Sequence, residues 1–242
     1  MIKIAMWSGP RNISTALMRS FGNRLDTFVT DEPFYGYYLY KTGNNHPLKE
    51  KIINEMNINY DSIKKKLLGS IPNNKRIWYQ KHMAQHILSC NNVEWTKHMN
   101  NIFLIRNPKD VVLSYVKKNK LNDIYQLGLP QQFEIFIFNK NNKKNCIVID
   151  SNDILENPKK MLFKLCEQIK IPFNNKMLSW KSGLHKTDGI WATHWYDDVI
   201  NSTGFNKNKN EPIQSLPKKY VLIIEQSMIY YKKLYKHRMR LS

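Results

Sequence analysis

Arg106 and Ser114 lie eight residues apart in the run Asn101-Ile-Phe-Leu-Ile-Arg-Asn-Pro-Lys-Asp-Val-Val-Leu-Ser-Tyr115. A guanidinium is a permanently charged planar fork, and a hydroxyl near a helix start adds a donor beside it. The apolar stretch Ile102 to Ile105 reads as a strand, Pro108 forces a turn, and Asp110 opens an amphipathic helix with Ser114 one turn in. Both groups then face one point at the strand's carboxyl end, where a dianionic phosphate monoester fits. A plainer alternative exists for the run alone. Arg106 leaves the sheet to meet a carboxylate, Asn107-Pro108 is an ordinary turn, and Asp110 is a helix cap.

The amino terminus shifts the balance. Ile2-Lys-Ile-Ala-Met-Trp7 reads as a strand, Ser8-Gly9-Pro10-Arg11-Asn12-Ile13-Ser14-Thr15 as a tight loop, and Leu17, Met18 and Phe21 as the inner stripe of a helix. Such a loop aims backbone N–H groups and the positive helix end at an anion, with Ser14, Thr15 and Arg11 adding donors. The nucleotide-hydrolase spelling G-x-x-x-x-G-K-S/T is absent, and Gly9 is the loop's only glycine.

These residues resemble the sulfotransferase family, which moves a sulfuryl group from 3′-phosphoadenosine 5′-phosphosulfate (PAPS) to an acceptor. The family's first loop has the form Pro-Lys/Arg-Ser-Gly-Thr/Ser-Thr and grips the 5′-phosphosulfate; Pro10-Arg11-Asn12-Ile13-Ser14-Thr15 is similar to it. Its second motif, Arg-Asn-Pro-x-Asp-x-x-x-Ser, holds the 3′-phosphate and is matched without a gap from Arg106 to Ser114. A third likeness is Asp150-Ser-Asn-Asp153-Ile-Leu-Glu-Asn-Pro158 with the helix Lys159 to Ile169 after it. The resemblance implies a donor grip built from Pro10, Arg11, Asn12, Ile13, Ser14, Thr15, Arg106 and Ser114, a small-molecule hydroxyl or amine acceptor, and no metal.

The chain departs from the family at Asn12-Ile13, where Ser-Gly is usual, and at Arg11, where Lys is common. For the family's C-terminal Arg-Lys-Gly segment the nearest equivalent is Ser202-Thr203-Gly204-Phe205 with Lys207 and Lys209.

An acceptor oxygen is a poor nucleophile until a base takes its proton. Two residues are candidates. His82 follows the third strand in Gln80-Lys81-His82, which resembles the family's Lys-x-His segment, although here the two are adjacent. Glu32 follows the second strand in Asp31-Glu32-Pro33, near where other branches of the family carry a catalytic carboxylate. Each also has a plain reading, as a hydrogen-bonding neighbour or a solvated turn. Arg11, with Lys81, is suited to neutralise charge on the departing phosphate. An ATP-dependent small-molecule kinase shares the strand-loop-helix start but lacks its lysine; Asp31 is the carboxylate it offers for magnesium. A non-catalytic domain that binds PAPS or adenosine 3′,5′-bisphosphate is the other alternative.

The elements that must position these groups are legible in outline. Strands are expected near 2–7, 27–31, 75–81, 101–105 and 146–150, and helices near 13–22, 48–68, 84–90, 109–118, 158–169 and 216–236. Their alternation implies a three-layer α/β/α fold with a mostly parallel sheet, for which the family resemblance implies the P-loop NTPase-like sulfotransferase fold, as one domain over residues 1–242. Ligands bind such sheets at the strands' carboxyl ends. Residues 117–145 and 181–212 are polar and irregular and read as acceptor-facing or lid segments. Within them Asp188 to Asp198 is dense in aromatics, either an acceptor pocket or core. His185 and His194 have no ligand spacing around them and read as structural.

At 242 residues and 42% hydrophobic the chain can fill one substantial core. It has no apolar run of the roughly 18 residues that a membrane span needs and no leader-like segment, and it reads as soluble and cytoplasmic. Cys90, Cys146 and Cys166 are too few and too scattered for a disulfide framework or a zinc site, and read as reduced and mostly buried. The formal charge of +19 comes from Lys interleaved with Asn along the whole chain, as in Asn139-Lys-Asn-Asn-Lys-Lys-Asn145. That is a compositional bias and not a recognition face, so no specific nucleic-acid partner is expected. It still steers an anionic donor inward.

Overall fold

The structure, a computed structural model, describes residues 1–206 and 216–241. Lys207 and Lys209 lie outside the described residues. Five strands, β1 (Ile2–Ser8), β2 (Thr27–Asp31), β3 (Ile77–Met83), β4 (Asn100–Ile105) and β5 (Cys146–Asp150), form one sheet in the order β2-β3-β1-β4-β5. Every pairing is parallel. The central position of β1 follows from its sequence, because Ile4, Ala5, Met6 and Trp7 are all buried and only an inner strand covered on both faces takes so unbroken an apolar run.

The helices are α1 (Ser14–Gly22), α2 (Tyr35–Thr42), α3 (Lys49–Glu55), α4 (Tyr60–Leu68), α5 (Pro108–Tyr115), α6 (Leu129–Asn141), α7 (Ser151–Glu156), α8 (Pro158–Gln168), α9 (Ala192–Trp195), α10 (Asp197–Ile200) and α11 (Lys218–Tyr235). Period-two alternation along the strands divides the interior into two cores. Ile4, Met6, Tyr79, Ile102, Leu104 and Ile149 pack with α1 and α8 on one face. Ala5, Trp7, Trp78, Phe103, Ile105 and Val148 pack with α4, α6 and α11 on the other. This is the expected three-layer α/β arrangement, and it aligns the strand ends at Ser8, Asp31, Met83, Ile105 and Asp150.

Several boundaries differ from the sequence expectation, each for a local reason. The helix expected over 48–68 is two helices. Asn57 and Asn59 side chains take the N–H groups of Asn59 and Ser62 (2.8 and 2.9 Å), which ends one helix and caps the next. Residues 84–90 hold a single 3₁₀ turn, Ala84–His86, and not a helix. The stretch 117–145 contains α6, which turns Gln132 and Asn139 inward alongside Ile135 and Phe136, so polar residues interrupt its apolar stripe. The third strand runs from Ile77 to Met83, which puts His82 inside it and not beyond it. Of the three cysteines only Cys166 is buried; Cys146 is half-buried, Cys90 is exposed, and all are free.

A buried polar knot ties the sheet to α6. Asn101 accepts from the Trp7 indole N–H (2.9 Å) and donates to the Thr96 carbonyl (2.8 Å), while Asn139 donates to the Thr96 hydroxyl (2.8 Å). Replacing Asn101 by Leu orphans the Trp7 donor, and leaving a buried group unsatisfied costs about 1–3 kcal/mol. Urea denaturation of Asn101→Leu is expected to show a loss in that range; an unchanged midpoint refutes the assignment.

Candidate active site

Three turns at the strand ends converge. The first, between β1 and α1, is built on unusual backbone: Arg11 and Ile13 adopt left-handed conformations (φ 61° and 58°) although neither is glycine. Each such residue costs about 1–2 kcal/mol, and strain of this kind persists only where the surroundings hold it. Here they do. The buried Asn12 amide donates to the Leu104 carbonyl (3.2 Å), and the Ser151 hydroxyl donates to the Asn12 carbonyl (3.1 Å). Gln132 presents its amide oxygen to the Gly9 N–H (3.0 Å) and its nitrogen to the Leu104 carbonyl (3.2 Å). Gly9 must be glycine, because a Cβ there falls 2.1 Å from the Leu127 carbonyl oxygen. No side chain caps α1, so its first N–H groups remain available to an anion.

The second turn joins β4 to α5. Asn107, not Asp110, is the cap, accepting from the Lys109 N–H (3.0 Å), and Pro108 fills the first helical position. Arg106 donates to the Arg11 carbonyl (2.8 Å), and Arg11 Nε donates to the Ser114 hydroxyl oxygen (2.8 Å). The two sequence motifs, 95 residues apart, therefore meet directly. Burial lowers the proton affinity of Arg106, and its Nε is enclosed with no partner among the described residues.

The third turn follows β2 and carries Asp31 and Glu32, the latter again left-handed (φ 43°). Lys81, on the adjacent strand, is 1% exposed and projects its ammonium to Asp31 Oδ1 (2.9 Å) and Glu32 Oε1 (2.7 Å). The Tyr196 hydroxyl, between α9 and α10, sits 2.7 Å from Asp31 Oδ2, 3.1 Å from Glu32 Oε1 and 2.5 Å from Lys81 Nζ. Burial raises Asp31 against the pull of Lys81, and it raises the Tyr196 phenol well above its ordinary value. The carboxylates in turn raise Lys81 against its own burial. Tyr196 was not singled out by sequence reasoning, and Asp31 was weighed only as a kinase carboxylate. Their side chains look ordinary until the strands set them side by side.

His82 does not reach this centre. Adjacent residues on a strand face opposite ways, so its ring lies in the other core. There it stacks on Trp7 (4.5 Å) and approaches Phe34 and Trp95 (5.9 and 5.6 Å), 1% exposed. Burial, with His86 nearby, pushes it down from its ordinary 6.5 to about 3. A Lys-x-His spacing puts both groups on one face; Lys81-His82 separates them. The remaining expected residues are distributed around the three turns. Pro10, Ser14 and Thr15 stay with the first loop, whereas Ser202 to Gly204 pair with Ser179 and Trp180, through Trp180 N–H to the Thr203 carbonyl (3.0 Å).

Segment 188–198 lies against the first and third turns. Asp198 pairs with Arg11 (3.0 Å), Asp197 with Lys118, and Asp188 with the buried Arg19 (2.7 Å). Trp191 is buried core, as one of the two readings of this aromatic stretch had it, and its indole donates to the Tyr196 hydroxyl (3.0 Å). Among the described residues no cluster of three or more His, Cys, Asp or Glu is arranged for a metal, and no helix is long and apolar enough to cross a membrane.

A parallel sheet with a strained loop after its central strand, and a buried ammonium beside two carboxylates, defines an α/β protein with its polar groups gathered at the strands' carboxyl ends. Residues 2–238 match the family model described as "Sulfotransferase domain", and the chain belongs to that family. In structure it is similar to a sulfotransferase from Alicyclobacillus acidocaldarius (TM-score 0.54, 9% identity, 97% of this chain and 96% of that one). It is also similar to a mouse sulfotransferase complexed with PAP (TM-score 0.53, 16% identity, 100% of this chain and 86% of that one). Among curated proteins it resembles branched-chain-amino-acid aminotransferase-like proteins 1 and 2 of Arabidopsis thaliana, at 34% and 31% identity over 97% and 94% of this chain. The chain spans only 42% and 40% of those two proteins.

The buried histidines make stability pH-dependent. His82 and His86 both have proton affinities lowered by burial, so below their ordinary 6.5 the unfolded chain binds more protons than the folded one. Their contribution to stability is complete above that pH and falls as pH drops below it, toward about 3 for His82, by up to about 1.4 kcal/mol per pH unit per histidine. His82→Phe is expected to reduce the slope between pH 6 and about 4 by one proton's worth. Equal slopes in chemical denaturation series of the two proteins refute this.

Proposed function

We propose that the chain transfers a sulfuryl group from PAPS to a hydroxyl or amine of a small-molecule acceptor. The observation that supports this most is the junction of the two motifs: Arg106 on the Arg11 carbonyl and Arg11 on Ser114, each at 2.8 Å. One anion grip formed from two turns suits a donor with phosphate at both ends. The loop N–H groups, Ser14 and Thr15 take the 5′-phosphosulfate, and Arg106 with Ser114 takes the 3′-phosphate. The curated relatives' aminotransferase-like name describes chains more than twice as long, and aminotransfer is not proposed for this segment.

The chemistry is an in-line displacement. The acceptor oxygen or nitrogen forms a bond to sulfur as the bond from sulfur to the 5′-phosphate oxygen breaks. The electron pair stays on that phosphate, so adenosine 3′,5′-bisphosphate leaves. The acceptor's proton goes to Glu32. Of the two carboxylates at the centre, Asp31 has both oxygens engaged, whereas Glu32 Oε2 receives no hydrogen bond among the described residues and is open to take a proton. His82 is set aside as the base because protonation is strongly disfavoured where it lies. Lys81 and the α1 N-terminus, with Arg11, oppose the charge that grows on the departing oxygen, a role worth about 2.7–4 kcal/mol per donor in comparable sites.

Calorimetric titration tests the donor. Adenosine 3′,5′-bisphosphate is expected to bind without metal and more tightly than ATP with magnesium; the reverse order refutes the reading. Arg106→Ala is expected to weaken adenosine 3′,5′-bisphosphate by about 1.5–3 kcal/mol, the worth of a hydrogen bond to a charged group, and to leave adenosine 5′-phosphate nearly unchanged. Equal losses show the site is misassigned.

Turnover is measured separately, with labelled PAPS and a metabolite extract. Glu32→Gln is expected to lower transfer by about 10²–10⁴, the usual worth of a general base, and His82→Gln by less than tenfold. A larger loss from His82→Gln returns the role to histidine. A protein that binds adenosine 3′,5′-bisphosphate but transfers nothing across a broad acceptor set is a binding domain.

A further inference from the structure

The buried centre contains one more charged group than the transfer step uses. Asp31 sits at the carboxyl end of β2, 9% exposed, and makes four contacts at once. Its Oδ1 meets Lys81 Nζ at 2.9 Å and the Tyr196 hydroxyl at 3.0 Å; its Oδ2 meets the same hydroxyl at 2.7 Å and the Gly189 N–H at 3.1 Å. Burying a carboxylate so deeply is costly unless its charge is met, and a lone surface-seeking lysine opposite a single glutamate needs no second carboxylate to be neutral. Asp31 is therefore surplus to simple charge balance. What it adds is geometry.

An ammonium on four methylene groups is a mobile point charge. With Glu32 as its only charged partner, Lys81 would lose its counter-charge when Glu32 accepts a proton. Asp31 supplies a second anchor on the β2–β3 ladder itself, where the Asp31 and Lys81 backbones are paired in register. The same carboxylate also holds Gly189 and Tyr196 of the segment that covers the centre. Arg19, buried on α1 and paired with Asp188, secures the start of that segment at 2.7 Å.

We infer that Asp31 is a positioning residue: it fixes the Lys81 ammonium in one place against Glu32 and the Tyr196 hydroxyl at the end of β2. This rests on the sulfuryl-transfer reading for its consequence in turnover, but the hold on Lys81 is a property of the free protein. The groups that face the pair are Glu32 beside Asp31, Tyr196 above it, Tyr79 and Arg19 toward α1, and His86 on the turn after β3, with Tyr35 and His46 facing Glu32. Among these Asp31 is the largest influence that raises Lys81.

Two measurements separate this inference from the reading it rests on. The first needs no turnover: nitrogen-15 NMR follows the Lys81 ammonium through an alkaline titration in the wild type and in Asp31→Asn. In the wild type Lys81 is expected to keep its proton above its ordinary 10.5, and in Asp31→Asn to lose it at least one pH unit lower than in the wild type. Identical titrations overturn the proposal. If Asp31→Asn does not fold, the wild-type curve decides alone, and a Lys81 that titrates at or below 10.5 overturns it.

The second measurement is a double-mutant cycle on transfer from labelled PAPS. Asp31→Asn is expected to lower kcat at least tenfold with the donor KM changed by less than twofold, and to lower the pH at which the alkaline limb falls. In a Lys81→Met background the same change is expected to have no further effect on kcat. Independent, multiplying losses overturn the proposal. A wild type without transfer refutes the sulfuryl-transfer reading, and the titration still decides the role of Asp31.

Discussion

The ammonium of Lys81, buried between Asp31, Glu32 and the Tyr196 hydroxyl, is the interaction on which the arrangement of the site depends. A charge removed from water must be met by groups of fixed geometry. Meeting it recruits the end of β2, the middle of β3 and the segment after α8. The consequence is that the covering segment is held by the charged centre itself. Trp191 and Tyr196 pack into the core above it, while Asp188 and Asp198 reach Arg19 and Arg11 at its edges.

The loop between β1 and α1 obeys a similar logic at the level of the backbone. Arg11 and Ile13 lie in conformations that non-glycine residues avoid, and the loop keeps its shape because Leu104, Ser151 and Gln132 grip it from three elements. Gly9 is required for a different reason: the Leu127 carbonyl occupies the space a side chain would need. Departing from Ser-Gly to Asn12-Ile13 has therefore not removed the turn. Asn12 uses its amide to fasten the loop to β4, and the left-handed residue is Ile13 in place of a glycine.

Much of the fold was legible because the inner strands are apolar on both faces and the helices between them are amphipathic. Two of the misplaced elements share one cause. Where asparagine side chains compete for backbone N–H groups, at Asn57 and Asn59, a long periodic stretch breaks in two. Where polar residues face inward, at Gln132 and Asn139 on α6, the pattern that marks a helix disappears. Both are cases in which a side chain's hydrogen bonds outweigh its hydropathy.

The sequence by itself determined the strand-turn-helix form of the two motifs, because each is a continuous run in which strand, turn and helix follow one another. It also determined the parallel α/β class and offered His82 and Glu32 as candidate bases. Only the tertiary structure decided which side chains share a face. Lys81 and His82 are neighbours in the chain and occupy opposite cores, since a strand alternates its side chains and β3 runs two residues further than its composition suggests. Asp31 and Tyr196, 165 residues apart, share a proton-bearing contact that no local pattern encodes. Long-range pairing in a parallel sheet joins residues by register, and register is set by the packing of both cores together.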